Sequence, residues 1–137
     1  MKISFTVYGE PTPKGRPKFF RRGNFVGTYT PDKTKVAEES IQMQSLQHKP
    51  EKPMEGPLVL KLAFYRAKGM PSTKIGRQRA LAGEIRPTTK PDLDNLTKTV
   101  KDALNGIIWI DDAQIIEVFA QKFFSDTPRT EIEITGI

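Results

Sequence analysis

The chain has 137 residues, with 22 Lys and Arg against 16 Asp and Glu, a formal charge of +6, no cysteine and a single histidine. That length suits one modest domain. The composition excludes disulfides, thiolate chemistry and a His-rich zinc site, and a Ser-His-Asp triad would need His48, which nothing supports.

The segment Lys2 to Tyr8 alternates, with Ile3, Phe5 and Val7 on one face and Lys2, Ser4 and Thr6 on the other, which predicts a half-buried strand. MKISFTVYGE therefore reads as a first strand, not as the apolar core of a signal, and the chain has no run of about 18 apolar residues that would span a membrane. Together with the absence of cysteine this implies a cytoplasmic protein. A long stretch from Glu10 to Pro31 follows, read as a loop stiffened by Pro11, Pro13 and Pro17. It interleaves Lys14, Arg16, Lys18, Arg21 and Arg22 with Phe19, Phe20, Phe25 and Tyr29. Cations that neutralise phosphate beside rings that stack on bases suit an irregular nucleic acid. The alternative is that the rings fold into the core and anchor a hairpin.

Thr30 as N-cap and Pro31 in the first turn predict a weakly amphipathic helix to about residue 48. Leu58 to Tyr65 alternates as a second strand. Residues 66–91 look like loop with one short helix near Arg77–Ala82, and carry a second basic cluster that includes Arg77 and Arg79. Leu93, Leu96, Val100, Ala103 and Leu104 mark one face of a helix closed by Asn105-Gly106. Ile115 to Phe124 is apolar on both faces and is expected to be a central strand. A turn at Asp126-Thr127-Pro128 leads to a last strand at Glu131–Ile134. This order predicts a single α+β domain over 1–137, with a small mixed sheet and two main helices.

Charge is unevenly placed. Residues 1–35 hold eight Lys/Arg and two acids, residues 61–90 eight and one, and residues 92–137 four and nine. Two basic segments before an acidic part are the footprint of a nucleic-acid binder, although a solvated basic surface would look the same. Within the acidic part, Asp92 and Asp94 precede the helix and Asp111 and Asp112 follow it. Residues two apart in an extended stretch project together. A short return after the helix is expected to bring Asp111 and Asp112 to the same point, with Lys98 facing the pocket. Carboxylates without His or Cys are hard ligands that suit Mg²⁺ or Mn²⁺, and such an ion could activate water and polarise a phosphoryl oxygen. The plainer roles are also open: Asp92 or Asp94 as an N-cap, Asp94–Lys98 and Lys98–Asp102 as i, i+4 pairs, and Asp111-Asp112 as a turn.

The run Lys90-Pro-Asp-Leu-Asp-Asn-Leu-Thr-Lys98, then Asp102-Ala-Leu-Asn and Trp109-Ile-Asp-Asp-Ala-Gln114, resembles the signature of the RusA-type Holliday junction resolvases, small endodeoxyribonucleases common in prophages and bacteria. The resemblance implies that Asp92, Asp94 and Asp112 are the essential acids and metal ligands, Asp111 an auxiliary acid and Lys98 the lysine of the catalytic site. It further implies a Mg²⁺-dependent homodimer of mixed α/β fold that cuts two opposing strands of a four-way DNA junction, in recombination and repair. Lys14, Arg16, Lys18, Arg21, Arg22, Arg77 and Arg79 are then the candidate phosphate contacts, on charge alone. The competing readings are a branched-DNA-binding module without catalysis and a basic RNA-binding protein whose acids only cap and turn.

Overall fold

A computed structural model describes residues 1–15, 18–29 and 32–137. Strand β1 (Lys2–Tyr8) is followed by two short strands, β2 (Lys18–Arg22) and β3 (Phe25–Tyr29), and by helix α1 (Asp32–Ser45), which ends in a 3₁₀ turn at Leu46–His48. Then come β4 (Leu58–Arg66), α2 (Lys74–Leu81), α3 (Leu93–Leu104), a 3₁₀ turn at Asp112–Gln114, β5 (Ile115–Phe124) and β6 (Arg129–Gly136). The result is an α+β fold with a four-stranded mixed sheet in the order β1-β6-β4-β5 and a separate two-stranded sheet, β2-β3.

Strand β6 is antiparallel to both β1 and β4, whereas β5 runs parallel to β4. A parallel pair needs a long crossover, and residues 67–114, with α2, α3 and all four aspartates of interest, are that crossover. Alternation places Ile3, Phe5, Val7, Leu58, Leu60, Leu62, Phe64, Ile132 and Ile134 on one face of the sheet. Leu96, Val100, Ala103 and Leu104 of α3 and Ile41 of α1 close over them, with Ile108 and Trp109 in the same core. The opposite face is mixed: it carries an ion-pair ladder, Lys2–Glu133 at 2.9 Å and Lys61–Glu133 at 3.7 Å, beside a stacked Tyr65–Phe123 pair and the exposed Phe119.

Two sequence expectations need correction. Strand β5 lies at the edge of the sheet, not in its middle. Its two-sided apolar pattern arises because Ile116, Val118 and Phe119 are exposed, not because both faces are covered. The basic stretch read as loop contains the β2-β3 hairpin, closed by a two-residue turn at Gly23-Asn24. Gly23 takes φ +59°, which suits the first central position of a tight hairpin turn. The expected caps of α1, Thr30 and Pro31, lie outside the described residues.

Candidate active site

Asp92 stands at the N-cap position of α3 with extended backbone (φ −74°, ψ 152°), but its side chain makes no capping bond. Asp94 follows in the first turn, and both carboxylates are exposed. The approach to them is held by two cations from the sheet. Arg66 at the end of β4 donates from a guanidinium nitrogen to the Lys90 carbonyl at 2.9 Å. Lys122 of β5 donates through Nζ to the carbonyls of Thr89 at 3.0 Å and Pro91 at 3.1 Å. Neither cation was legible as a support in the sequence, because each sits more than twenty residues from its target.

Lys98 is on α3, one turn beyond Asp94. Its Nζ lies 3.4 Å from Asp102 Oδ1, so the i, i+4 pair it forms is with Asp102. Asp102 also receives Lys14 Nζ at 3.1 Å, and Lys14 pairs with Glu38 of α1 as well. Burial alone would lower the Lys14 pKa. The hydrogen bonds to Glu38 and Asp102, with the charge of both acids, outweigh it and hold the ammonium above its ordinary value. The Lys14 backbone N–H also donates to the Asn95 carbonyl at 3.2 Å. Lys14 is thus a strut between α1 and α3.

The second acid pair is built differently. Asp111 caps the 3₁₀ turn through Oδ1, which accepts from the Ala113 N–H at 2.9 Å, and Gln114 Oε1 accepts from Ile110 and Asp111 N–H at 2.9 and 2.8 Å. The Gln114 amide then donates to the carbonyls of Met54 and Gly56 at 2.9 and 3.0 Å. Asp112 is half-buried, and its Oδ1 accepts from the indole N–H of the fully buried Trp109 at 2.8 Å. One Asp112 oxygen is therefore oriented by the core. Trp109 and Gln114 are the positioning residues that sequence reasoning passed over, although each stood inside the Trp-Ile-Asp-Asp-Ala-Gln run.

The two pairs do not meet within one chain. Asp92 lies beside the Lys122 end of β5, and Asp112 lies before Ile115, where β5 begins against Leu58. Seven strand residues and the 12 residues of α3 both separate them, each a span on the order of 20 Å. Among the described residues no group of three or more His, Cys, Asp or Glu side chains is placed to hold one ion. The expected convergence of three or four carboxylates at one point is corrected accordingly. The helix carries the chain the full length of the sheet, and only β5 brings it back.

A family model for the endodeoxyribonuclease RusA matches residues 8–135. The chain belongs to the RusA endodeoxyribonuclease family. Membership makes it a hydrolase of phosphodiester bonds in DNA. It is 41% identical over 137 residues to the uncharacterized protein YqaN of Bacillus subtilis strain 168, covering 98% of this chain and 96% of that one. It is 32% identical over 102 residues to the crossover junction endodeoxyribonuclease rusA of Lactococcus phage r1t, covering 72% of this chain and 70% of the phage protein.

Within this RusA-family chain the candidate DNA contacts fall into three groups. Lys18, Arg21 and Arg22 are exposed on the β2-β3 hairpin. Arg77 and Arg79 on α2 are exposed but paired, Arg77 with Asp126 at 3.3 Å and Arg79 with Glu84 at 3.1 Å. Lys14 is engaged in the strut described above, and Arg16 lies outside the described residues. Among the described residues, no helix is long and apolar enough to cross a membrane.

Proposed function

We propose that the protein is a Mg²⁺-dependent, structure-specific endodeoxyribonuclease that resolves four-way DNA junctions as a cytoplasmic homodimer. The observation that carries this reading is the pair Asp92 and Asp94, two exposed carboxylates at the head of α3 that neither cap nor pair with Lys98, in a chain of the RusA family.

Asp92, Asp94 and Asp112 are all-oxygen donors of the kind Mg²⁺ or Mn²⁺ accepts. Bound there, the ion would supply Lewis acidity and charge neutralisation at the scissile phosphate. The chain's own residues supply the frame. Arg66 and Lys122 fix the backbone before Asp92, Trp109 sets the angle of Asp112, and Lys98 places a positive charge on the turn after Asp94, where it offsets negative charge built up at phosphorus. Asp111 supports the second pair through its cap, and Mn²⁺ is expected to substitute for Mg²⁺.

Because α3 holds the two acid pairs apart within one chain, a twofold partner is the natural source of the missing ligand. We assign Asp112 of the partner subunit to the Asp92–Asp94 pair. The open edge of β5, with exposed Ile116, Val118 and Phe119, supports such an interface. Two like sites in a twofold dimer would suit symmetric incision of two like strands.

The test is incision of a synthetic four-way junction with Mg²⁺ and with EDTA, by the parent and by Asp94→Asn. Paired nicks by the parent in Mg²⁺ only, with none by the variant, are expected. Equal cutting by the variant would overturn the site, and binding without incision would leave a module lacking catalysis.

A further inference from the structure

The β2-β3 hairpin spends its aromatic residues in an unusual way. Phe19, Phe20, Phe25 and Tyr29 are 76%, 36%, 63% and 47% exposed, so none anchors the hairpin in the core. The two strands pair only with each other. A two-stranded sheet alone in water is marginal, and here cross-strand ring contacts stabilise it.

Cross-strand partners share a face, and the register Lys18↔Tyr29, Phe20↔Gly27, Arg22↔Phe25 therefore gathers three rings and two cations on one side. The Phe20 ring lies directly on Gly27, where an added Cβ would come within 2.6 Å of it. Phe25 and Tyr29 flank it with ring centroids at 6.0 and 6.3 Å, tilted by 55° and 48°. The Arg22 guanidinium stands 6.0 Å from the Phe20 centroid. No acid occurs between Glu10 and Asp32, while Lys14, Arg16, Lys18, Arg21 and Arg22 all do. The face is thus an apolar platform in a wholly positive field.

The hairpin is also tied to the acid site. Three and four residues before β2 begins at Lys18, the chain is pinned by Gly15 N–H to Thr34 Oγ1 at 2.9 Å and by Lys14 N–H to the Asn95 carbonyl at 3.2 Å. Asn95 follows Asp94 directly.

We propose that the Phe20, Phe25 and Tyr29 face is a base-stacking platform that takes unpaired or unstacked nucleotides of a branched DNA, with Lys18 and Arg22, which share that face, on the flanking phosphates. Rings serve any base and carry no sequence preference, while cations without acids favour a polyanion and disfavour a basic partner. The platform would recognise a branch by the bases it leaves open, and its stem would deliver the adjacent phosphate toward Asp92 and Asp94. The last step rests on the nuclease reading; the stacking does not.

The experiment uses the full-length protein and fluorescence anisotropy on three DNAs: a four-way junction, a duplex with a short gap of unpaired thymidines, and the intact duplex. Phe25→Ala with Tyr29→Ala should lose about tenfold or more in affinity for the junction and the gapped duplex, with little change on intact duplex. Lys18→Gln with Arg22→Gln should weaken all three and lower the salt slope by about one per phosphate contact removed. Photocrosslinking from benzoylphenylalanine at position 25 should label nucleotides in the gap or branch. Equal losses of the ring variant on every DNA, no loss on any, or crosslinks to a second protein chain would each overturn the platform. A parent that prefers gapped to intact DNA through these rings but cuts no junction would sink the nuclease reading and leave the platform standing.

Discussion

The indole N–H of Trp109 donates to Oδ1 of Asp112 at 2.8 Å, from a ring that is wholly buried to a carboxylate that is only half-buried. The core thereby sets the orientation of an acid on which the proposed chemistry depends.

Trp109→Phe keeps an aromatic ring but deletes that donor. A hydrogen bond to a charged group is worth about 1.5–3 kcal/mol, and the smaller ring adds a packing loss. Urea unfolding should show destabilisation of at least that size, with a parallel fall in junction incision. Asp112→Asn, whose amide oxygen can still accept from the indole, should keep most of the stability while losing incision. Equal stability loss in both variants would remove the orienting role.

Gln114 joins the acid turn to the chain before β4 by four hydrogen bonds, two accepted and two donated. Gln114→Leu leaves the carbonyls of Met54 and Gly56 and two N–H groups without this partner. A loss of about 2–6 kcal/mol is expected, at roughly 0.5–1.5 kcal/mol for each of the four bonds. Thermal or urea denaturation measures it, and incision should fall further than stability alone explains.

Subunit mixing tests where the ligands come from. Asp94→Asn and Asp112→Asn should each be inactive as homodimers. If each centre takes Asp112 from the partner, a mixed dimer carries one doubly altered centre and one intact centre. Mixed preparations should then regain nicking of one strand per junction. Failure of any mixture to nick, with subunit exchange verified, would return the centre to a single chain.

The edge of β5 predicts an oligomeric consequence. Phe119→Lys combined with Val118→Lys places charge on a strand edge that is now apolar, a substitution that protects natural edges from pairing. Sedimentation should show a monomer with near-parental circular dichroism, and incision should be lost along with the dimer. A dimer that survives both lysines uses another surface.

Lys14 gives a pH prediction. Its folded pKa is raised above 10.5 by Glu38 and Asp102 against the opposing effect of burial. A cation with a raised pKa contributes stability that is fully present below its unfolded value and is lost as pH rises through the folded value. The stability advantage of the parent over Lys14→Met should therefore be constant at neutral pH and shrink above about pH 10.5. An advantage that grows with pH would contradict the strut.

Much of this protein could be read along the chain because the signals are local. Alternation in Lys2–Tyr8 and Leu58–Arg66 and the 3.6-residue period of Leu93–Leu104 depend only on neighbours, and each produced the element expected. The Asp-x-Asp and Asp-Asp-Ala-Gln runs are equally local, so the family and its candidate acids were visible at once. Tertiary structure alone decided three matters. It put β5 at an edge, since apolar residues on both faces describe a central strand and an open one alike until the sheet order is known. It left the hairpin rings in solvent, a choice between core and surface that composition cannot make. And it set the two acid pairs at opposite ends of α3, because closeness in sequence says nothing about which way a helix carries the chain.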